Sequence, residues 1–318
     1  MLAACHSPQN EAIVKKSSSG KTCEVLLAID KNVYVGETKD LLDSILREPQ
    51  PCLPQPQPRF DVVTVPVSSL HNTQMFQMHR NIIQCDVNPE NPDKLYIGRD
   101  KRATPQVLVD VAASSDSALR HLLRVHASGI RKAIYKAEHE RMIGAFYRDR
   151  NVDLMKRFEE KFGFSMTFQQ DYQWASDDAD FVWIRKETKD FSLGILVHTM
   201  PYRDESLFDY QKIDNRLDTM MRRHVPGPAE GSYMGTERRV DIEHEKVDYD
   251  GSEFCIETRG LWRVFGDFMG GPFVCYTILS PDRKQVVDVM GFVYCPRFDK
   301  RDYLMQVEGI CNSAKWKE

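Results

Sequence analysis

Leu2-Ala3-Ala4-Cys5 sets an apolar residue and two small ones directly before a cysteine. This is the form of a lipobox, in which a signal peptidase must seat the backbone beside a cysteine that then becomes the lipidated N-terminus. The basic n-region and apolar h-region that precede such a cysteine are missing from the sequence as given, so the expectation is a start placed further upstream. Residues 6–22, HSPQNEAIVKKSSSGKT, are polar and rich in Ser and Lys, which suits a flexible tether between an anchored cysteine and a folded domain. A chance match near an ordinary N-terminus is the alternative.

A second constellation lies in residues 259–273, RGLWRVFGDFMGGPF. Glycines at 260 and 266 permit bulges or close backbone approach, and Gly270-Gly271-Pro272 suits a turn. Such a loop could present Arg259, Trp262 and Asp267, with Gly270 and Gly271, as one patch for a ligand or partner. The plainer reading is a hairpin whose aromatics pack in the core and whose Arg and Asp pair with each other. Catalysis has a weaker footing: carboxylates, or His198 and His224, could serve a hydrolase in a cleft between two halves of the chain. That chemistry needs titratable groups converging in one pocket, and spacing alone does not show convergence.

Several further motifs fail on inspection. Ser19-Gly20-Lys21-Thr22 ends like a phosphate-binding loop, but its first Gly is absent and it precedes a strand pattern instead of opening a helix. Gly231-Ser232-Tyr233-Met234-Gly235 sets its serine one place too early for a nucleophile elbow. His139-Glu140 lacks the second histidine of a zinc helix, and Asp177, Asp178 and Asp180 lack the Gly and distal Glu of a calcium loop.

The eight cysteines, at 5, 23, 52, 85, 255, 275, 295 and 311, show no ligand-like spacing. Cys255, Cys275 and Cys295 are evenly spaced. If turns centre near Met269 and Asp282, however, Cys275 lies opposite Trp262 and Val289. Cys295 is then about six residues away along the sheet, roughly 20 Å. Neither a disulfide nor a shared metal fits that distance. No metal site and no cofactor are expected.

These residues must be positioned by ordinary globular elements: 42% of the 318 residues are hydrophobic and 28% charged, which excludes collagen-like, mucin-like and wholly disordered chains. The formal charge of −4 divides unevenly. Residues 1–150 carry 20 Lys/Arg against 17 Asp/Glu (+3), and residues 151–318 carry 23 against 30 (−7). Neither half has the electrostatic footprint of a nucleic-acid binder.

Strand patterns fall at 24–30, 60–67, 81–87 and 94–99, with a helix over 37–47. Residues 49–58 hold five prolines and must run extended. Residues 104–113 fit either a strand or a helix. A long helix follows from the Ser/Asp cap at 114–116, with Leu119, Leu122, His126, Ile130, Ala133, Ile134 and Ala137 facing inward and a basic outer face. That face could rest on anionic lipid or simply be solvated. Asn151 should cap a helix that Gly163 stops. Strands at 164–169, 181–187, 192–199, 236–246, 252–265, 272–280 and 285–295 follow, with helices over 206–224 and 300–315. Strands 272–280 and 285–295 are apolar on both faces, so each face must be covered.

Val225-Pro226-Gly227-Pro228 before Glu230-Gly231-Ser232-Tyr233-Met234, and Gly291-Phe292-Val293-Tyr294 before Phe298-Asp299-Lys300-Arg301-Asp302-Tyr303-Leu304, are further marks. With the 259–273 stretch they resemble an uncharacterised family of Bacteroidota lipoproteins grouped as a domain of unknown function. The resemblance covers nearly the whole chain after the tether. It implies a signal peptide, a lipidated cysteine and the outer membrane, and it supplies no catalytic residues. The absence of acids before Glu11 points to the periplasmic side. More loosely, the element order of 163–318 is similar to α/β/α sandwiches of the Mog1/PsbP type, an analogy of fold alone.

The expectation is therefore an α+β protein of two domains, each of mainly antiparallel sheet packed with helices. Residues 1–22 form the lipobox remnant and tether, 23–150 the N-terminal domain, and 151–318 an α/β/α sandwich. Its expected role is a non-enzymatic binding or assembly accessory, anchored to the membrane through Cys5, with a possible protein partner in the envelope and no nucleic acid.

Overall fold

A computed structural model of the chain describes residues 16–316. Cys5 and the polar segment through Lys15 lie outside the described residues. The chain divides into two compact units: the first includes Phe60–Ala137 and the residues up to Arg47, the second Glu48–Arg59 and the residues from Glu138 onward. The proline-rich run 49–58 thus belongs with the second unit, although the first flanks it on both sides in sequence. Ser18 N donates to Thr104 O and Ser19 N to Met78 O, so an ordered edge of the first unit replaces a tether at these residues.

The first unit contains β1 (Glu24–Ile29), α1 (Gly36–Leu46), β2 (Asp61–Val65), α2 (Val67–Asn72), α3 (Gln74–Gln77), β3 (Asn81–Val87), β4 (Lys94–Arg99), β5 (Val107–Ala113) and the start of α4 (Asp116–Arg148). Its sheet runs β2-β1-β3-β5-β4. The α+β class holds, but strand direction in this unit differs from expectation. β1 pairs parallel to β2 and to β3, and β3 pairs parallel to β5, leaving β4 as the antiparallel edge. The strands show why: β1 is buried at every position after Glu24, and β3 at Asn81, Ile82 and Ile83 in a row, as crossover-connected parallel strands are, instead of alternating. The ambiguous 104–113 segment resolves as β5, because pairing with β3 and β4 satisfies its backbone groups. On α4 the buried stripe is Leu119, Leu123, Ile130, Ile134 and Ala137, while His126, expected inward, is exposed.

The second unit continues with α5 (Val152–Phe162), β6 (Phe164–Ser165), β7 (Gln173–Asp177), β8 (Phe181–Glu187), β9 (Ser192–Pro201), a short 3₁₀ turn (Glu205–Phe208) and α6 (Tyr210–His224). It closes with β10 (Tyr233–Thr236), β11 (Glu243–Lys246), β12 (Cys255–Phe265), β13 (Gly270–Leu279), β14 (Gln285–Tyr294), α7 (Arg301–Cys311) and β15 (Lys315–Trp316). Its large sheet is ordered β10-β12-β13-β14-β9-β8-β7, with β11 also on β12, and every pairing is antiparallel. Because side chains alternate across a sheet, one set packs with α5 and α7: Val182, Ile195, Val274, Tyr276, Val289 and Val293 with Phe158 and Val307. The other set, including Phe181, Leu196, Phe273, Cys275, Met290 and Phe292, packs with α6. This is the expected α/β/α layering, and each large apolar side chain it buries contributes roughly 1.5–3 kcal/mol.

The helix boundaries read from Asn151 and Gly163 hold. Asn151 Oδ1 accepts from Leu154 N at 3.1 Å, and Gly163 takes the left-handed conformation, φ 77°. The strand register does not hold. Trp262 pairs with Gly271 and Cys275 with Thr258, because the chain turns earlier, through Gly266 at φ 92°, and on its other side Cys275 pairs with Met290, one residue beyond Val289. Cys275 consequently faces α6, whereas Cys255 and Cys295 face α7. Among the described residues, no disulfide joins any of the seven cysteines.

Candidate functional site

An α-helix rises about 1.5 Å per residue and a strand about 3.3 Å. The 15 residues of α6 therefore span roughly 22 Å over strands of 10 or 11 residues that run about 33 Å. One helix cannot cover that face. Past the end of α6, where Val225-Pro226-Gly227-Pro228 turns the chain away, the sheet opens into a pocket of about 540 Å³.

Aromatic side chains form its walls. Trp183 comes from β8, Trp262 from β12 and Phe292 and Tyr294 from β14, joined by Met234 and Met269. Trp262 meets Phe292 edge to face, with centroids 5.4 Å apart, and Trp183 lies 6.4 Å from the same ring. Glycine makes the arrangement possible. A Cβ on Gly194 would stand 2.1 Å from the Phe292 ring, and one on Gly271 would stand 2.0 Å from Val293 O. That carbonyl accepts from Trp262 Nε1 at 3.2 Å. Trp183 Nε1, in contrast, is buried without an acceptor among the described residues. Burying an indole N–H unpaired carries a desolvation cost, and native structures do so rarely.

The rim is charged. Arg185 lies over the Trp183 ring at 5.1 Å and pairs with Glu187 at 3.1 Å. Lys189, Asp190 and Arg297 complete it, and neither Lys189 nor Arg297 has an ion-pair partner among the described residues. Three cations against Glu187 and Asp190 leave the rim at +1.

A smaller pocket, about 300 Å³, flanks α6 and is lined by His198, Asn215, Arg216, Thr219, Met220, Arg223 and His224. Strand register builds its floor: Thr277 pairs with Asp288 and Asp288 with His198, one row across three strands. Burial pushes the Asp288 carboxyl up, but the Arg216 charge and its hydrogen bonds outweigh that and hold it well below the usual carboxylate range. Thr277 Oγ1 also donates to it, at 2.7 Å. His198 Nδ1 stands 3.8 Å from Asp288 Oδ2, too far for a hydrogen bond, and is buried without a hydrogen-bond partner among the described residues. His224 stacks on Phe181 at 4.0 Å, and burial, then the neighbouring Arg223, push its pKa down. The two histidines singled out in the sequence therefore share one pocket. No serine or cysteine lines it, and the Thr219 hydroxyl is committed to Asn215 O.

The 259–273 residues are not brought together. Arg259 and Trp262 are three apart on one strand and project to opposite faces of the sheet. Arg259 lies half-buried on the α7 side, where it bonds Glu257 at 2.6 Å and also Glu308, and Tyr276 donates to Glu257 at 2.8 Å. Asp267 sits in the turn beyond Phe265, accepting from the backbone N–H of Phe268, and Gly270 begins β13. Of the five, Trp262 forms a wall of the large pocket, and Gly271 supplies the clearance behind it. Among the described residues, no group of three or more His, Cys, Asp or Glu is placed to hold a metal, and no helix is long and apolar enough to cross a membrane.

Trp183 and Arg297 had no distinguishing signal in the sequence. Asp288 had one, being a lone charge in the apolar run VVDVMGFVY, where a buried carboxylate demands a cation.

Residues 151–313, just over half the chain, match a family described as domain of unknown function DUF4837. Residues 18–147 match a second, domain of unknown function DUF8532. No curated protein matches the chain.

Proposed function

We propose that this chain, which belongs to the DUF4837 family, is a lipid-anchored envelope protein that works by binding and not by catalysis. The observation that carries the binding role is the aromatic pocket beyond the end of α6: about 540 Å³, within the range of small-molecule sites, with two Trp, a Phe and a Tyr in its walls. The anchor rests on Leu2-Ala3-Ala4-Cys5 and the polar stretch behind it. Together these describe an accessory held by Cys5 at the outer membrane, on its periplasmic side, that captures a ligand or an assembly partner.

Metabolic labelling tests the anchor. The gene is expressed with its upstream in-frame codons and supplied with a labelled fatty acid, and wild type is compared with Cys5→Ala. Label present in wild type and lost in the variant is the expected result. No label in either, with the protein in the cytosolic fraction, overturns it.

The competing reading, a hydrolase, draws on His198 and His224 lining one pocket. It predicts turnover of ester or amide probes that His198→Ala abolishes. The commitment of Asp288 to Arg216, and the lack of a serine or cysteine in that lining, favour the binding role.

A further inference from the structure

We infer that the aromatic pocket holds a single-chain anionic amphiphile, its apolar chain against Trp183, Trp262, Phe292 and Met269 and its head beside Lys189 and Arg297. The inference rests on the binding role proposed above and not on the lipid anchor.

Three observations carry it. The walls are aromatic and thioether side chains on a sheet face that α6 is too short to reach: Trp262 and Phe292 lie buried at the back, and Trp183, Met269 and Tyr294 are half-buried around them. The charged groups of the lining come from the β8–β9 hairpin and from Arg297 alone, while the β12 and β14 strand residues in it carry no charge, the division an amphiphile requires. The charge on that side selects the sign of the head: Glu187 pairs with Arg185, and Lys189 and Arg297, without ion-pair partners among the described residues, outnumber Asp190 and leave the rim at +1. An aromatic cage is also a known seat for cations. Here the guanidinium of Arg185 already occupies the Trp183 face, and two further cations would repel a cationic head.

The test uses the Cys5→Ala chain, which carries no acyl group of its own. Three probes share a twelve-carbon chain and differ in the head: dodecanoate, dodecanol and dodecyltrimethylammonium, each below its micelle concentration. Binding is followed by calorimetry and by tryptophan fluorescence, since two of the four Trp line the pocket. Dodecanoate is expected to bind at least tenfold more tightly than the ammonium probe, with the alcohol between them. The double variant Lys189→Ala/Arg297→Ala should weaken dodecanoate about tenfold and leave dodecanol unchanged, because a rim cation acts on charge alone. Val264→Trp, which fills the pocket from β12, should abolish all three. Met269→Trp fills it from the turn before β13 if the first variant does not fold.

Ammonium binding as tight as dodecanoate, dodecanoate binding that survives both fillings, or a concentration-dependent dimer that takes up no probe would each overturn the assignment. Failure of labelling at Cys5 would leave this result standing. Failure of all three probes would leave the anchor standing.

Discussion

Arg216 meets Asp288 in a two-point ion pair, Nε to Oδ2 at 2.5 Å and Nη2 to Oδ1 at 2.9 Å, which ties α6 to the middle of the large sheet. Asp288 is wholly buried, and Arg216 also donates to Leu207 O, so the pair fixes both the helix and the turn before it. Apolar contacts alone would let the helix slide along the strands. This bond fixes where α6 lies on the sheet, and Val225-Pro226-Gly227-Pro228 ends it short of the aromatic pocket.

Asp288→Ala is expected to cost about 3–5 kcal/mol, because it strands a buried guanidinium. Replacing both partners with apolar residues, Arg216→Met with Asp288→Leu, should recover most of that loss. Urea unfolding of the three variants checks both statements. A double variant no more stable than Asp288→Ala would show that the site depends on the charges themselves.

Acid should weaken the opposite face as well as the Asp288 pair. Burial pushes the Glu308 carboxyl up, but the Arg259 charge and the His139 contact outweigh it and hold the pKa at about 2, against 4.5 for an unperturbed glutamate. Because the folded value is the lower one, its stabilisation is complete above about pH 4.5 and is lost as pH falls towards 2. The urea midpoint should decline through that window, and Glu308→Gln should flatten the decline while lowering stability at neutral pH. An unchanged slope in the variant would refute the assignment.

Two glycine substitutions should have opposite signs. Gly271→Ala sets a methyl group 2.0 Å from Val293 O, a backbone atom held in β14, and should cost at least about 2 kcal/mol with a changed tryptophan spectrum. Gly129→Ala, in α4 with nothing within 4 Å of the new atom, should gain about 0.5–1 kcal/mol. Thermal unfolding of the two single variants reads both.

Asn151→Ala should cost about 1 kcal/mol or slightly more. Its side chain caps α5 and also donates to Gln170 O and Tyr172 O, and alanine removes all three bonds. Asn151→Asp, which keeps the cap and loses both donated bonds, should fall between alanine and wild type. Loss equal to alanine would place the energy in the donated bonds instead of the cap. Phe268→Ser should change stability by less than about 0.5 kcal/mol, since that ring is fully exposed.

Local chemistry was legible without any structure. Asn151 and Gly163 bracket α5 because capping and left-handed backbone are decided by neighbours within a few residues. The continuous apolar runs of β13 and β14 announced a sheet covered on both faces, and the α/β/α layering followed from that. What depended on distant partners was not legible. The direction of β1, β2, β3 and β5 is set by crossovers through helices, and the β12–β13 register by a turn at Gly266 that the nearby Gly270-Gly271-Pro272 disguised.

The candidate site divides the same way. Trp262 stood out by composition, but alternation across the sheet sent Arg259 to the opposite face, into a network with Glu257 and Glu308. The sequence by itself determined the α+β class, the helix caps and the double coverage of the central strands, because each follows from residue type within one element. Only the tertiary structure decided that Trp183, Trp262, Phe292 and Tyr294 share a pocket, because that depends on strand register and on a helix shorter than the sheet it covers.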